Sequence, residues 1–156
     1  MMSLHHLTRG SRAILTLCLL SGAVGAATTV TGNQYDGNGG PWTIAGSPYV
    51  IDSGTGVTVP AGETLTIDPG VVVKFGYGDI HFYVNGTLVA DGTPTSPIIF
   101  TAYRDDAAGG DTNGDGDASA PYHDIWGAVR FLTGSTGSIM DCCEVRYGGW
   151  STNAGV

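Results

Sequence analysis

Oxygen-bearing side chains alternate along one short stretch of this sequence, residues 111–117 (DTNGDGD). Carboxylate and amide oxygens at every second position can converge on one hard cation, and glycine at the sixth position permits the sharp turn that such loops need. The stretch matches the first half of a calcium-binding loop, D-x-D/N-x-D/N-G. We therefore expect calcium as a cofactor, with Asp111, Asn113, Asp115 and Asp117 among its ligands.

The second half of this calcium pattern is missing. Tyr122 occupies the position at which such a loop carries its bidentate glutamate, and no helices are predicted on either side. Three further carboxylates of the same segment, Asp105, Asp106 and Asp124, are candidates to complete the ligand set. The alternative is an acidic loop that holds no ion tightly.

Cleavage of an acidic polysaccharide is a second chemistry to consider. It needs carboxylates that hold calcium and a basic residue that removes a proton from the sugar. Lys74, Arg130 and Arg146 are predicted to point outward from strands and are the candidates for that base. No spacing brings them beside the acidic stretch, however, and an outward cation on a strand is usually a solvated charge. A glycosidase would need two carboxylates facing each other across a groove, and the sequence does not single out such a pair.

Other reactive side chains give weaker indications. His81 and His123 lack a Cys or His partner at zinc-binding spacing. Cys142 and Cys143 are adjacent, and neighbouring side chains of a strand point to opposite faces, so we do not expect them to form a disulfide with each other. Either one packs in the core and the other lies at the surface, or an exposed thiol pairs with another chain.

The N-terminal 26 residues have the features of a signal peptide. Arg9 and Arg12 precede an apolar run at residues 13–24, which is too short to span a membrane as a helix. Val24 and Ala26 supply the small residues that a signal peptidase requires, so we expect cleavage after Ala26. The protein is therefore predicted to be secreted or to lie at the cell surface, with no membrane span.

The rest of the chain is acidic and rich in glycine. All 14 acidic residues follow residue 26, against four of the six basic ones, which leaves a net charge of −10. This charge disfavours nucleic acid and anionic membranes as partners and favours cations. The 26 glycines, together with many Val, Thr, Ile and Tyr residues, are typical of β structure with frequent turns.

Three segments with the same pattern must position the acidic stretch. They cover residues 57–75, residues 82–101, and residues 127–131 together with residues 140–147. Each segment contains three short strands separated by turns. In the first segment, the side chains expected to point inward are Val57, Val59, Leu65, Ile67, Val71, Val73 and Phe75, whereas Thr58, Thr66, Val72 and Lys74 are expected to point outward.

The spacing between the segments locates an insertion. Leu65 and Leu88 are 23 residues apart, whereas Val84 and Val129 are 45 residues apart, nearly twice the period. The excess lies at residues 102–124, which include the acidic stretch. The corner glycines Gly62, Gly70, Gly86 and Gly92 are expected to adopt positive φ, and the Asn-Gly pair at residues 85–86 leaves a β-hairpin as an alternative.

Residues 41–150 resemble the opening coils of right-handed parallel β-helix proteins from bacterial surfaces and secretions, in the pectin-lyase-like superfamily. The motifs that carry the resemblance are residues 62–75 (GETLTIDPGVVVKF), 85–93 (NGTLVADGT), 97–101 (PIIFT), 126–131 (WGAVRF) and 145–149 (VRYGG). The resemblance implies an all-β solenoid of about three coils. We divide the chain into a signal peptide (1–26), an N-terminal cap (27–56) and β-helix coils (57–156) with the insertion at 102–124.

The expected function follows from the fold and the acidic stretch. A coil completes its core only by stacking on the next one, so further coils or a second copy in a homo-oligomer must cover the last coil. We expect a non-catalytic, calcium-stabilised module of an extracellular, cell-surface or adhesion-type protein that contacts polysaccharide through exposed aromatic residues. The alternative is the N-terminal fragment of a carbohydrate-active β-helix enzyme, either a polysaccharide lyase or a glycosidase.

Overall fold

The computed structural model describes residues 26–30, 41–51, 54 and 56–150 of the 156-residue chain. These residues are almost entirely β structure with turns, as predicted, and their one short helical turn is a 3-10 turn at Ile44–Gly46. No helix in the described part is long and apolar enough to cross a membrane. The expected signal peptide lies outside the described residues, apart from Ala26.

Eleven short strands make up the described β structure. They are β1 (Thr28–Val30), β2 (Tyr49–Ile51), β3 (Val57–Val59), β4 (Thr64–Ile67), β5 (Val72–Phe75), β6 (Phe82–Val84), β7 (Thr87–Asp91), β8 (Ile98–Ala102), β9 (Val129–Phe131), β10 (Ile139–Asp141) and β11 (Cys143–Val145). They pair in parallel in three sheets: sheet A has the order β1-β2-β5-β8-β11, sheet B the order β3-β6-β9, and sheet C the order β4-β7-β10.

The chain visits the three sheets in a fixed sequence. From β3 onward, each group of three strands contributes one strand to sheet B, one to sheet C and one to sheet A. Leu65 pairs with Leu88, which confirms the predicted offset of 23 residues, and Val59 pairs with Val84, 25 residues further along the chain. Strands β6 and β7 belong to different sheets, so the Asn-Gly pair at residues 85–86 forms a corner and not a hairpin.

The third segment differs from the prediction in two ways. Val84 pairs with Phe131 and not with Val129, which instead pairs with Phe82. The error of two residues leaves the inward and outward faces unchanged, because side chains alternate with a period of two. The expected stretch at residues 140–147 divides into β10 and β11, and Cys142 turns the corner between them with a φ of 45°.

The inner side chains form one continuous apolar core. Every inward residue predicted in the first segment is at most 1% exposed, and its counterparts Phe82, Val84, Leu88 and Phe100 are fully buried. Trp126 stacks on Phe75 with 4.0 Å between ring centroids. Burial of each such side chain contributes about 1.5–3 kcal/mol, so the stacked column is the main source of stability.

The N-terminal strands extend this core beyond the first repeat. Strands β1 and β2 add to sheet A, and Trp42 forms an isolated parallel bridge to Ile67 at the edge of sheet C. The Trp42 indole is buried and stacks on the Tyr49 ring with 4.6 Å between centroids. This side of the core is therefore covered by residues of the predicted cap region.

Two side chains of β5 that were expected to point outward into solvent are buried instead. Lys74 is fully buried and Val72 is only 9% exposed. The cause is the segment after β8, which folds across the outer face of sheet A. The Lys74 ammonium donates a hydrogen bond to the Gly110 carbonyl, and a Cβ added at Gly109 would lie 3.4 Å from Val72 Cγ1.

The corner glycines serve two different purposes. Gly62 and Gly70 have φ of 82° and 84°, as predicted. Gly86 and Gly92 do not have positive φ, so that part of the prediction is wrong. They are required by close backbone approach, because a Cβ at Gly86 would lie 2.2 Å from the Pro60 carbonyl oxygen.

Candidate calcium site

The long segment after β8 is anchored at its start by a buried carboxylate. Asp105 is 3% exposed, and its Oδ2 accepts a hydrogen bond of 2.7 Å from the Thr101 hydroxyl on β8. The Arg146 guanidinium lies 3.5 Å from the same oxygen. Through these contacts Asp105 holds the segment on sheet A. Asp105 does not belong to the cluster formed by Asp106, Asp111 and Asp115.

Asp111 organises the turn that follows. Its Oδ1 accepts hydrogen bonds from the amides of Gly114 (2.7 Å) and Asp115 (3.3 Å), and its Oδ2 accepts one from the Gly116 amide (2.8 Å). Gly114 and Gly116 have φ of 73° and 62°, which side chains other than glycine rarely adopt. The amide hydrogen bonds lower the pKa of Asp111, because they stabilise its charged form. The loop therefore closes around an ionised carboxylate.

Three carboxylates converge at this turn. One oxygen from each of Asp106, Asp111 and Asp115 lies within 4.8 Å of the other two. Burial, followed by the nearby charge of Asp111, raises the pKa of Asp106. Its Oδ1 is buried and has no hydrogen-bond partner among the described residues. A cation held between these oxygens would relieve both the repulsion and the unmet acceptor.

Lys74 contributes a positive charge near the carboxylates of this segment. Its pKa is lowered by burial, while the charges of Asp106, Asp105 and Asp111 act in the opposite direction. Sequence reasoning assigned Lys74 to solvent and missed this contribution. The residues of β5 alone carry no signal for it, because the burial involves Gly110, which lies 36 residues further along the chain.

The other expected ligands lie at or beyond the margin of the cluster. The Asn113 amide nitrogen donates to Asp115 Oδ2 at 2.8 Å and to Ser119 Oγ at 3.1 Å. The Asn113 side-chain oxygen is buried and has no hydrogen-bond partner in the described parts of the chain. Asp117 is exposed and is not among the three convergent carboxylates. Asp124 lies 2.7 Å from His123 Nδ1 and also falls outside the cluster.

The other two candidate bases for polysaccharide cleavage lie elsewhere. Arg146 is engaged by Glu144, with 2.9 Å between Nε and Oε2, and by Asp105. Arg130 is exposed on sheet B, with its guanidinium carbon 6.0 Å from the centre of the Tyr83 ring. Neither of these two candidates therefore provides an exposed base at the carboxylate cluster.

The two adjacent cysteines are both free and partly buried. Cys143 packs against the core, and its thiol lies 3.3 Å from the Ala90 carbonyl oxygen. Burial, followed by the charge of Asp141, raises the pKa of Cys143 to about 11. The Cys143 thiol is therefore protonated at neutral pH, which makes it a poor nucleophile and a poor metal ligand.

Part of the chain is similar to a known protein. No family model and no solved structure matches the sequence. A stretch of 62 residues, 40% of this chain, is 42% identical to part of the Protein bark beetle of Drosophila melanogaster. The chain spans 2% of the length of that protein.

Proposed function

We propose that this chain is a non-catalytic, calcium-stabilised β-helix module of an extracellular, cell-surface or adhesion-type protein that contacts polysaccharide. The observation that carries the proposal is the convergence of the Asp106, Asp111 and Asp115 oxygens within 4.8 Å of one another. The expected signal peptide supports the extracellular location, where calcium is plentiful.

The three parallel sheets support a right-handed parallel β-helix. Successive strands pass from sheet B to sheet C to sheet A and then return to pair beside the starting strand. Connections between parallel strands of one sheet are right-handed in about 98% of cases, so right-handed coiling is the expected hand. The resemblance to pectin-lyase-like proteins points to the same architecture.

The chemistry of the cluster favours calcium over other metals. Its ligand atoms are carboxylate oxygens on a loop, which suit a hard cation with flexible coordination geometry. Calcium takes six to eight oxygens, so three carboxylates leave places for backbone carbonyls and water. Calcium sites of extracellular modules typically have Kd values of about 0.1–1 mM, and we expect the affinity to lie in this range.

Thermal unfolding with and without calcium tests the proposal. An ion at ten times its Kd stabilises the folded state by about 1.4 kcal/mol, which corresponds to a rise in Tm of roughly 4–8 °C. We expect this rise for the wild type and not for Asp111→Asn, which removes the central carboxylate. Asp117→Asn removes the same charge from the same loop outside the cluster and is expected to retain the response.

A magnesium titration completes the experiment. Magnesium demands a small octahedral site and gives up its water reluctantly, so we expect a much smaller rise in Tm. An identical Tm in excess EDTA and in millimolar calcium would contradict the proposal. Equal responses of the Asp111→Asn and Asp117→Asn variants would show that calcium acts elsewhere on this acidic chain.

The enzymatic alternative is less well supported by the geometry. Of the three candidate bases, Lys74 interacts with the carboxylates of the cluster, but it is fully buried and so has no access to a polymer. Arg146 is engaged by two carboxylates, and Arg130 lies on a different sheet from the loop. A lyase would in addition need a groove in which such a base meets the sugar.

A further inference from the structure

A cleft of about 540 Å³ lies between the N-terminal strands and the long segment after β8. Its walls come from β1, β2, the turn after β5, and residues 103–113. Its lining includes the side chains of Thr29, Tyr77, Tyr103, Thr112 and Asn113. The volume falls within the range of about 300–1,000 Å³ that is typical of small-molecule sites.

Two tyrosine rings in this cleft are held in place by neighbouring groups. Tyr77 is 46% exposed, and its ring meets the Trp150 ring edge-on with 4.8 Å between centroids. The Tyr103 hydroxyl accepts a hydrogen bond of 3.1 Å from Arg104 Nε, whose guanidinium carbon lies 5.4 Å from the ring centre. Rings fixed in this way offer flat apolar faces at little further entropic cost.

The polar groups of the cleft are uncharged, and some of them already form hydrogen bonds within the protein. The Thr112 hydroxyl donates to the Tyr103 carbonyl oxygen at 3.0 Å, which leaves its oxygen free to accept from a ligand. The Asn113 amide nitrogen is fixed by Asp115 and Ser119. Thr29 adds an exposed hydroxyl from β1.

The charge around the cleft selects between classes of ligand. None of the described residues that line the cleft is charged, and the wall that contains Asn113 belongs to the acidic loop. A uronate or a sulfated sugar would approach these carboxylates, and the Arg104 guanidinium beside the cleft is already engaged by the Tyr103 hydroxyl and by the Tyr103 and Tyr122 rings. Apolar ring faces combined with neutral hydrogen-bonding groups suit a neutral sugar, which has an apolar face and a rim of hydroxyls.

We infer that this cleft binds a short segment of a neutral polysaccharide, with the Tyr77 ring stacked against a sugar ring. The inference rests on the proposed function as an extracellular, polysaccharide-contacting module and names its ligand class and its site. It differs from the lyase alternative, which requires an acidic polymer and a base.

Titration calorimetry with defined oligosaccharides tests this inference. The probes are cellohexaose, xylohexaose and mannohexaose, with hexagalacturonate as the acidic comparison, all in calcium-containing buffer. At least one neutral hexasaccharide is expected to bind with a Kd of about 0.1–1 mM, equivalent to roughly 4–5.5 kcal/mol. We expect Tyr77→Ala to weaken binding at least tenfold, and Tyr77→Phe to preserve it because the ring remains.

Matched variants separate the cleft from the rest of the surface. Phe131→Ala removes an equally exposed ring (46%) outside the cleft and is expected to leave binding unchanged. Because Tyr77 also contacts Trp150, Thr29→Trp provides a second test that fills the cleft from an exposed position and should abolish binding.

Several outcomes would overturn the inference: no binding of any neutral probe, binding of hexagalacturonate alone, or full binding by both Tyr77→Ala and Thr29→Trp. The rise in Tm with calcium is measured separately. Loss of sugar binding with an intact calcium response would therefore reject only the cleft, whereas loss of the calcium response would reject the proposed function.

Discussion

Lys74 shows how one buried charge links the acidic loop to the sheet beneath it. Its ammonium group is fully buried and donates to the Gly110 carbonyl, while three carboxylates of the same segment contribute opposing charge. Burial outweighs those carboxylates and lowers the pKa of Lys74 below its ordinary value of 10.5. The charged form is therefore less favoured in the folded state than in the unfolded state.

This shift predicts a pH dependence with a definite sign. Between the lowered pKa and 10.5, the unfolded chain binds more protons at Lys74 than the folded chain does, so stability rises with pH in this window. We expect the Tm of the wild type to rise relative to that of Lys74→Met as the pH increases from 7 to 10. The slope cannot exceed about 1.4 kcal/mol per pH unit for one group.

A surface cation provides the control for this pH series. Arg130 is exposed, so Arg130→Met removes a charge of the same sign without relieving burial. The difference in Tm between wild type and Arg130→Met should stay level over the same range. If the wild type instead lost stability relative to Lys74→Met, the surrounding carboxylates would outweigh burial and the assigned direction would be wrong.

At the scale of elements, the corners decide how closely successive repeats stack. The Gly86 amide lies 3.0 Å from the Val59 carbonyl oxygen, in the turn between sheets B and C. A Cβ at this position would lie 2.2 Å from the Pro60 oxygen and 2.3 Å from the Glu63 oxygen. Both obstacles are backbone atoms, so the two repeats could accept a side chain here only by separating.

Alanine substitution at two corner glycines tests this requirement. Gly86→Ala is expected to reduce the free energy of unfolding by about 3 kcal/mol or more, because it forces the backbones apart. Gly62→Ala meets no atom within 4 Å and incurs only the strain of a φ of 82°, roughly 1–2 kcal/mol. Urea denaturation of both variants makes the comparison, and a Gly62→Ala variant as unstable as Gly86→Ala would contradict the explanation from close approach.

At the scale of the whole molecule, the two ends of the core are covered differently. Trp42 and Tyr49 close the N-terminal end. At the other end, β9, β10 and β11 are the outermost described strands of their sheets. Phe131, Ile139 and Val145 are 45–54% exposed there, and Phe131 and Val145 line a cavity of about 420 Å³. Apolar side chains, together with strand edges that have no partner strand in the described part of the chain, form a surface that favours association.

This exposed end predicts association of the isolated chain. Ile139→Lys places a charge on the edge strand of sheet C and is expected to shift the protein toward monomer by at least tenfold in dissociation constant. Ile44→Lys changes an even more exposed isoleucine (61%) in the N-terminal region and should leave association unchanged. Sedimentation velocity at several concentrations distinguishes the two, and a wild type that stays monomeric throughout would contradict the prediction.

The sequence alone determined the strand class, the inward residues and the repeat. Val57, Leu65 and Phe75 could be assigned to the core because alternation along a strand is a local property, and the offset from Leu65 to Leu88 fixes which strands pair. The third repeat was misaligned by two residues, because after a long insertion the apolar pattern fixes the face of a strand but not its exact partner.

Only the tertiary structure decided what covers the sheets and which carboxylates meet. The motif pointed to Asp111 and Asp115, but it could not select Asp106 over Asp105. The two adjacent carboxylates are equivalent in sequence, and only the fold shows that Asp105 accepts a hydrogen bond from Thr101 whereas Asp106 joins the cluster. Lys74 was predicted to be solvent-exposed because its own strand gives no sign of the segment that covers it. Its burial depends on where residues 103–124 fold, and the path of a long segment is set by contacts distant in sequence, which no local pattern encodes.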